Sequence, residues 1–431
     1  MIKIYRGALA DKEVLNREIN DYPREYEDTV REILSEVRER GDAAVLSYSE
    51  RFDRVKLESL EVSREEIEAA VARVPADFLE TLRIAKDNIA YFHTAQLRND
   101  FELRRDGGII LGQRFTPLAR VGIYVPGGTA SYPSTVLMNA VPAKIAGVGE
   151  IVMVTPPAKD GSVKDEILAA AYLAGVDRIF KCGGAQAVGA LAYGTESIPR
   201  VDKIVGPGNI FVAIAKRMVF GVVGIDMIAG PSEILIVADD TADPRFVAAD
   251  LLSQAEHDKL ATAVLVTDSE SLATAVQSEL EEQLSRLPRE EFARFSIETN
   301  GKIIVVDSLD EALETSNRIA PEHLELCLAD PFEALKKVKN AGSVFLGRYT
   351  PESLGDYLAG TNHTLPTSGS ARFSSPLSVD DFVKKHSYLY YPEQSLRDVK
   401  DRVADFAERE GLSAHARAAL IRFADEEGKT E

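Results

Sequence analysis

The feature that most restricts the fold is an alternation of short apolar strands with helices from Ala119 onward. The predicted strands are 120–125, 150–155, 178–182, 203–205, 233–238, 262–267, 302–307, 324–328 and 343–346. Their Val, Ile and Leu runs are nearly continuous, which is typical of parallel strands covered by helices on both faces. Because nine strands exceed what one small sheet usually holds, the sequence predicts an α/β protein with two doubly wound, Rossmann-like units.

Four regions are predicted along the chain. Residues 1–22 form an N-terminal arm, and residues 23–118 together with 231–370 form a first α/β unit. Residues 119–230 form a second α/β unit. Residues 371–431 form a helix-rich tail that is too small to bury a good core by itself. We therefore expect the tail to dock on a neighbour, such as a second subunit.

The first third of the chain is predicted to be helical. Apolar residues recur at helical spacing in 23–40, 42–51 and 75–96, and Ser63 with Glu66 forms a capping-box pattern that opens another helix. Two short strands, 101–105 and 109–115, follow as a β-hairpin across Asp106-Gly107-Gly108. This hairpin is expected to lead into the α/β unit that begins at Ala119.

Composition and charge exclude several classes of function. The 431-residue chain carries a formal charge of -19, which argues against binding to nucleic acid or to an anionic membrane surface. It has two cysteines, Cys182 and Cys327, which fits a reducing compartment without a disulfide framework. No apolar signal core opens the sequence, and no apolar run reaches the ~18 residues of a membrane span. We expect a cytoplasmic protein.

Three Gly-rich corners follow predicted strands, at 124–129, 182–186 and 206–209. Each alone is more simply a tight turn, and the G-x-G-x-x-G fingerprint of dinucleotide folds does not occur in that context. Open α/β sheets bind ligands at the carboxyl ends of their strands, and helix N-termini offer free N–H groups to phosphate. Three such corners in one unit therefore favour a ligand crevice there.

The six histidines are scarce, and several stand beside carboxylates or amides. Gln254 and His257 are predicted to share one face of a helix at 244–260, while Glu322-His323 precedes a strand. Asp356 is predicted in a short helix, and near the C-terminus Glu410 is followed by His415. Nitrogen and oxygen donors of this kind suit zinc, although a surface or capping role is the simpler interpretation of a lone helical histidine. H-E-x-x-H is absent, which excludes the common metalloprotease arrangement.

His93 and His386 are interpreted as structural or solvated residues.

Taken together, the motifs resemble the histidinol dehydrogenase family over essentially the whole chain. The motifs are Ile123–Thr129, Cys182–Ala187, Gly206–Asn209, Gly230–Glu233, Gln254–Asp258, Ala320–Leu326, Gly355–Tyr357, Thr361–Thr367, and Glu410 with Ala414-His415. They occur in the family's order. One departure is Phe211, where the family commonly has tyrosine.

The resemblance implies an NAD- and zinc-dependent enzyme that oxidises L-histidinol through L-histidinal to L-histidine, with two successive hydride transfers. Zinc would be held by Gln254, His257, Asp356 and His415, and NAD would be contacted by Tyr124, Gln186 and Asn209. The substrate would be bound by Ser232, Gln254, His257, His323, Asp356, Glu410 and His415. Glu322 and His323 would be the catalytic pair. The resemblance also implies an intertwined homodimer whose C-terminal tail completes the partner's site.

Three alternatives stay open at this point. A thiolate of Cys182 or Cys327 could capture the aldehyde covalently, although both positions read better as buried structural cysteines. The same polar cluster could serve a zinc-dependent hydrolase. The chain could also be a binding protein without catalysis, although its intact Glu322 and His323 argue against that.

Overall fold

The structure is a computed structural model that describes residues 1–6, 23–127 and 131–424. Most of the predicted N-terminal arm, residues 7–22, and Gly128-Thr129 of the first Gly-rich corner lie outside the described residues. Two compact units are present. The first comprises Met1–Leu97 and Leu118–Phe382, and the second comprises Arg98–Pro117 and Val383–Glu431. No helix within the described residues has both the length and the apolar character that crossing a membrane requires.

The elements are numbered in chain order. The strands are β1 (Lys3–Arg6), β2 (Phe101–Arg105), β3 (Ile109–Pro117), β4 (Arg120–Tyr124), β5 (Glu150–Thr155), β6 (Arg178–Lys181), β7 (Lys203–Val205), β8 (Gly224–Ile225), β9 (Glu233–Ala238), β10 (Thr262–Thr267), β11 (Lys302–Val305), β12 (His323–Cys327), β13 (Ser343–Leu346) and β14 (Val383–Tyr390). The helices are α1 (Arg24–Arg40), α2 (Asp42–Phe52), α3 (Arg64–Arg73), α4 (Ala76–Thr94), α5 (Pro133–Ala146), α6 (Asp165–Ala174), α7 (Gly184–Tyr193), α8 (Ile210–Val219), α9 (Pro244–Ala255), α10 (Glu270–Leu284), α11 (Glu290–Thr299), α12 (Leu309–Ile319), α13 (Pro331–Leu335), α14 (Glu352–Tyr357), α15 (Glu393–Arg397), α16 (Lys400–Arg409) and α17 (Ser413–Leu420).

Two parallel sheets form the first unit, and they share one topology. The five-stranded sheet has the order β6-β5-β4-β7-β8, and the six-stranded sheet has the order β1-β11-β10-β9-β12-β13. Counted from β4 and from β9, both follow the 3-2-1-4-5 order of doubly wound folds. The predicted fold class is thus confirmed. The order reverses between β4 and β7 in one sheet and between β9 and β12 in the other.

Burial on both faces explains why the strands are apolar throughout. In β9, Ile234 and Ile236 pack into a core with α9, α10 and α11, while Leu235 and Val237 pack into a second core with α12. Successive side chains of a strand point to opposite faces, so both sets must be apolar when both faces are covered.

The N-terminal helices pack differently from the predicted grouping. Val30 and Val37 of α1 and Val45 of α2 lie in the same core as Tyr124 of the five-stranded sheet. Residues 23–118 were predicted to belong with 231–370 instead. The apolar face of an amphipathic helix shows that the helix is buried on one side, but it does not show which sheet covers that side. The predicted capping box is present at α3, where Ser63 Oγ accepts from the Glu66 N–H at 3.2 Å and Glu66 Oε2 accepts from the Ser63 N–H at 2.9 Å.

The second unit contains a three-stranded antiparallel sheet of order β14-β3-β2 followed by helices α15–α17. The predicted hairpin forms, and its strand β3 also pairs with β14. This strand lies in the tail, which was predicted to be rich in helices. The tail unit accordingly begins at Val383 rather than at 371 and includes the hairpin. Most residues of β14 are exposed, so its alternation carries little apolar signal.

A buried ion pair fixes the loop that follows β7. The side chains of Lys216 and Asp226 contact each other and are 3% and 1% exposed. Lys216 Nζ donates to the Gly206 carbonyl at 2.9 Å, and Asp226 Oδ2 accepts from the Gly206 N–H at 2.8 Å. Gly206 has φ +109°, and a Cβ there would lie 2.2 Å from the Tyr124 carbonyl oxygen, so only glycine fits. The pair therefore determines where the loop meets the end of β4.

We predict that Lys216→Met lowers the free energy of unfolding by about 3–5 kcal/mol, because it leaves the Asp226 carboxylate buried without its cation. Lys144→Met is the matched control. Lys144 pairs with Asp177 at 2.8 Å, and both side chains are more than one-third exposed, so about 0–1 kcal/mol is expected. Urea unfolding followed by far-UV circular dichroism measures both losses. Equal losses in the two variants would contradict the assigned role.

Candidate active site

The predicted catalytic pair lies where the amino ends of the neighbouring strands β9 and β12 meet in the six-stranded sheet. His323 is the first residue of β12 and is paired in parallel register with Ile234 of β9. Glu322 precedes it, and Ser232 and Glu233 occupy the corresponding place at the start of β9. The order of the strands therefore brings two separate segments of sequence together at one edge.

The imidazole of His323 is buried and oriented. Its Nδ1 lies 3.0 Å from the backbone carbonyl oxygen of Glu233. Because a carbonyl can only accept, Nδ1 carries a hydrogen there. The opposite nitrogen, Nε2, lies 3.7 Å from Asp356 Oδ1 and has no hydrogen-bond partner among the described residues. A buried nitrogen without a partner marks the side of the ring that is available to a ligand.

Carboxyl groups surround this ring. Glu322 Oε2 and Glu352 Oε1 both lie 3.7 Å from Nδ1, and Glu322 Oε2 accepts from the Glu233 N–H at 2.8 Å. Burial raises the pKa of Glu322 to about 8 and that of Glu352 to about 7. Burial lowers the pKa of His323, but the carboxylates of Glu352, Glu322 and Asp356 outweigh it and hold the pKa well above its usual range. With one imidazole among several acids, the pocket attracts cations.

A second layer of acids lies behind the first. Glu325, in the middle of β12, is buried, and its Oε1 accepts from the Glu352 N–H at 2.8 Å. Its carboxyl group is hydrogen-bonded to that of Asp250, and burial raises the pKa of Glu325 well above its usual range and that of Asp250 to about 6. Glu352 begins α14, which carries Asp356 one turn later. Glu325 therefore fixes the start of the helix that presents Asp356.

Three of the four predicted metal ligands lie in the first unit. Gln254 Nε2 is 3.3 Å from His257 Nδ1, while Gln254 Oε1 is buried without a hydrogen-bond partner among the described residues. Burial raises the pKa of Asp356, yet three neighbouring imidazoles lower it overall. These belong to His323, His363 and His257. An orphaned amide oxygen beside imidazoles and a carboxylate fits the nitrogen and oxygen donor set of zinc.

One local prediction around these residues was wrong. Helix α9 ends at Ala255 rather than at 260, so His257 lies in the following turn, where its N–H donates to the Gln254 carbonyl at 3.2 Å. The turn keeps the two side chains adjacent by a different geometry from a shared helix face.

A separate cavity of about 820 Å³ opens at the carboxyl ends of the strands in the five-stranded sheet. Its lining includes residues of all three Gly-rich corners, among them Tyr124, Gln186 and Asn209. The Tyr124 hydroxyl accepts from the Gly184 N–H at 3.0 Å, and Asn209 caps the N-terminus of α8. Gln186 Oε1 and Thr155 Oγ1 are buried without hydrogen-bond partners among the described residues. An apolar cavity with a few unpartnered polar atoms at the strand-order reversal is typical of a nucleotide site.

The last two predicted site residues, Glu410 and His415, belong to the second unit. Glu410 follows the last residue of α16, and His415 lies in the first turn of α17. Both are exposed. Their assigned roles in binding substrate and metal stay predictions.

Comparison with known proteins identifies the family. Residues 16–423 match the family model described as histidinol dehydrogenase. Proteins named histidinol dehydrogenase from Clostridium acetobutylicum and Bacillus anthracis are 58% and 57% identical, with 92% and 98% of each chain covered. The crystal structure of histidinol dehydrogenase from Elizabethkingia anophelis matches with a TM-score of 0.94, at 38% identity and 99% coverage of both chains. This chain belongs to the histidinol dehydrogenase family.

Membership confirms the resemblance read from the motifs and the assignment of the chain as an oxidoreductase enzyme. In this histidinol dehydrogenase family member, both cysteines are buried, and burial raises the pKa of each thiol above its usual range. A buried thiol with a raised pKa supplies little thiolate. The covalent alternative therefore has no support from the environment of Cys182 or Cys327.

Part of the acidic cluster was not predicted from the sequence. His323, Glu352 and Asp356 form a group whose ligand atoms lie within 4.8 Å of one another, yet Glu352 was not singled out. His363, whose Nδ1 is 3.1 Å from the Asp356 carbonyl, was quoted only within a motif. Glu325 did carry a signal, because a charged residue inside an apolar strand is seldom fully buried unless it is paired.

We predict that Glu325→Leu weakens zinc binding by about tenfold and lowers the free energy of unfolding by about 1–3 kcal/mol, since it leaves the Glu352 N–H without an acceptor. Glu325→Gln is the control, because its amide oxygen can still accept that N–H and its NH₂ can donate to Asp250. Zinc titration of the metal-stripped protein and urea unfolding provide the two readouts. Equal losses in the two variants would show that the hydrogen bond to Glu352 is not what matters.

Proposed function

We propose that the chain catalyses the NAD- and zinc-dependent oxidation of L-histidinol through L-histidinal to L-histidine, the last steps of histidine biosynthesis. Family membership supports the overall reaction. The observation that carries the chemistry is the buried His323, whose Nδ1 is tied to the Glu233 carbonyl while Nε2 has no partner among the described residues. The charge and cysteine usage of the chain support a cytoplasmic location.

His323 is proposed as the general base of the alcohol oxidation. Loss of hydride from an alcohol carbon requires removal of the hydroxyl proton, and His323 in its neutral form would take that proton at Nε2. The carboxylates that hold the pKa of His323 well above its usual range would stabilise the imidazolium that forms. The Glu233 carbonyl fixes the ring orientation and keeps the hydrogen on Nδ1. Since that carbonyl is main chain at the start of β9, the orientation of the base is built into the sheet.

Glu322 is proposed to activate water in the aldehyde stage. Its carboxyl group is held by the Glu233 N–H at 2.8 Å, and burial raises its pKa to about 8. A carboxylate with a raised pKa is a stronger base than an exposed one, which suits proton removal from water. His323 and Glu322, which are adjacent in sequence, would thus act in two successive steps from the same wall of the pocket.

Gln254, His257 and Asp356 would hold zinc together with His415. Tyr124, Gln186 and Asn209 would hold NAD. When bound, zinc supplies Lewis acidity and NAD⁺ accepts hydride. The substrate would be bound by His323, by Ser232 and Glu410, and by the proposed metal ligands Gln254, His257, Asp356 and His415. The excess of carboxylates over cations around His323 supports a pocket for a cationic, nitrogen-rich amino alcohol.

A homodimer in which the tail completes the partner's site is proposed as the assembly. The second unit has little core of its own, since a cluster of Ala404, Ala407 and Ala416 joins α16 to α17. Large apolar side chains on these helices are exposed in the single chain, including Phe406 at 66%. Exposed apolar surface on a small unit that also carries Glu410 and His415 supports docking on a second copy.

The proposed reaction predicts two NADH for each L-histidinol consumed, with NAD⁺ in excess and zinc present, because both the alcohol and the aldehyde are oxidised. Absorbance at the NADH band with limiting substrate measures this ratio. The same assay after chelation is the control and should give a strongly reduced rate. A ratio of one would remove the water-activation role from Glu322, and no NADH at all would contradict the proposed function.

We predict that His323→Asn lowers the rates of both oxidations by about 10²–10⁴, because no base remains at Nε2. Glu322→Gln is expected to slow oxidation of added L-histidinal by about 10²–10⁴ and oxidation of L-histidinol to the aldehyde by less than tenfold. Single-turnover NADH formation from each substrate separates the two steps. A Cys182→Ala, Cys327→Ala variant is the control and should turn over normally. Equal slowing of both steps by Glu322→Gln would refute the division of roles.

A further inference from the structure

Asp53 places a carboxyl group in the wall of the cavity at the end of the five-stranded sheet. It follows the last residue of α2 and lines the cavity together with Tyr124, Gln186 and Asn209. Its Oδ2 is fully buried and has no hydrogen-bond partner among the described residues. Burial raises the pKa of this carboxyl group to about 6. A buried, unpartnered acceptor in a ligand cavity requires a donor that the described chain does not supply.

Asp53 lies close to the half of the five-stranded sheet that contains β4 and β6. Burial raises the pKa values of Tyr124 and Cys182, and the charge of Asp53 raises both further. Tyr124 ends β4 and Cys182 follows β6, the first and third strands of the doubly wound order. In dinucleotide folds these first strands form the half that binds the adenosine, and an acid there accepts hydrogen bonds from the ribose hydroxyls.

The usual source of that acid is missing from this sheet. It normally stands at the end of the second strand, about 20 residues after the Gly-rich turn. Here β5 ends at Thr155 and continues as Pro156-Pro157-Ala158-Lys159. The first carboxylate after it, Asp160, is exposed, accepts hydrogen bonds from Ser162 and does not line the cavity. Asp53 supplies one from a helix outside the sheet.

We propose that Asp53 selects NAD⁺ over its 2′-phosphorylated form by accepting hydrogen bonds from the adenosine ribose hydroxyls. This inference rests on the proposed use of the cavity for NAD. Asp53 forms no ion pair with any described residue, so a 2′-phosphate would meet a carboxylate that no cation offsets. Lys159 and Lys164 line the same cavity and are exposed, and neither forms an ion pair with Asp53 among the described residues. They can attract the phosphate groups of either dinucleotide, so the discrimination between the two is assigned to Asp53.

Asp53→Asn tests the proposal, with NAD⁺ and NADP⁺ binding measured by calorimetry at pH 8. The unmodified chain should prefer NAD⁺. In the variant, the dissociation constant of NAD⁺ should rise about tenfold or more, because a charged acceptor is lost, and that of NADP⁺ should fall. Glu50→Gln is the matched control. It removes an exposed carboxylate from the same helix that does not line the cavity, and it should leave both constants unchanged.

A change in the ligand tests the same contact without any variant. NAD⁺ that lacks the 2′-hydroxyl of its adenosine ribose should bind the unmodified chain about tenfold more weakly than NAD⁺, and this loss should be smaller in Asp53→Asn, whose neutral amide oxygen is a weaker acceptor than a carboxylate. An unchanged preference for NAD⁺ over NADP⁺ in Asp53→Asn, or an equal change in Glu50→Gln, would overturn the role of Asp53 while leaving the cavity as the NAD site. Binding of neither dinucleotide by the unmodified chain would overturn the proposed function, and the role of Asp53 with it.

Discussion

Burial of acids around a single imidazole is the constraint on which the candidate active site depends. Glu322, Glu352 and Asp356 each approach a ring nitrogen of His323 to 3.7 Å. Several carboxyl groups cannot all ionise in so small a volume unless cations offset them, so this arrangement costs stability when it stands alone. The backbone compensates, since Glu233 offers both its N–H and its carbonyl and Glu325 anchors the start of α14. The surrounding elements are therefore organised to hold a site that a bound cation would complete.

The strands of both parallel sheets could be predicted because burial on two faces leaves a continuous apolar run in the sequence. Exposed strands leave no such record. No residue of β1 is fully buried and most residues of β14 are exposed, so neither strand was predicted, whereas the more buried edge strands β6 and β13 were. The N-terminal helices were found, but their apolar faces do not encode which sheet covers them. Packing partners are a property of the assembled fold rather than of local periodicity.

The site was predicted unevenly for a related reason. The sequence identified His323 and Asp356 but could not reveal that strand order brings the amino ends of β9 and β12 together. The two sheets share one topology, but the cavity lies at the carboxyl ends of the strands in one sheet and the acidic cluster lies at the amino ends in the other. The rule that ligands bind at the carboxyl ends of parallel strands therefore predicts the cavity and not the acidic cluster. Asp53 had no local signal at all, because its significance comes from its proximity to Tyr124 and Cys182, which are distant in sequence.

The pairing of β1 with β11 bears on how the chain folds during synthesis. Lys3 stands opposite Lys302, so the first strand has no partner until about 300 residues have followed it. At about 5–20 residues per second, that interval is about 15–60 s. During this time the nascent chain presents an unpaired strand whose backbone groups could pair with another copy. Closing such a distant contact is slow, so completion of this sheet edge would come late in folding and would depend on protection of the first strand.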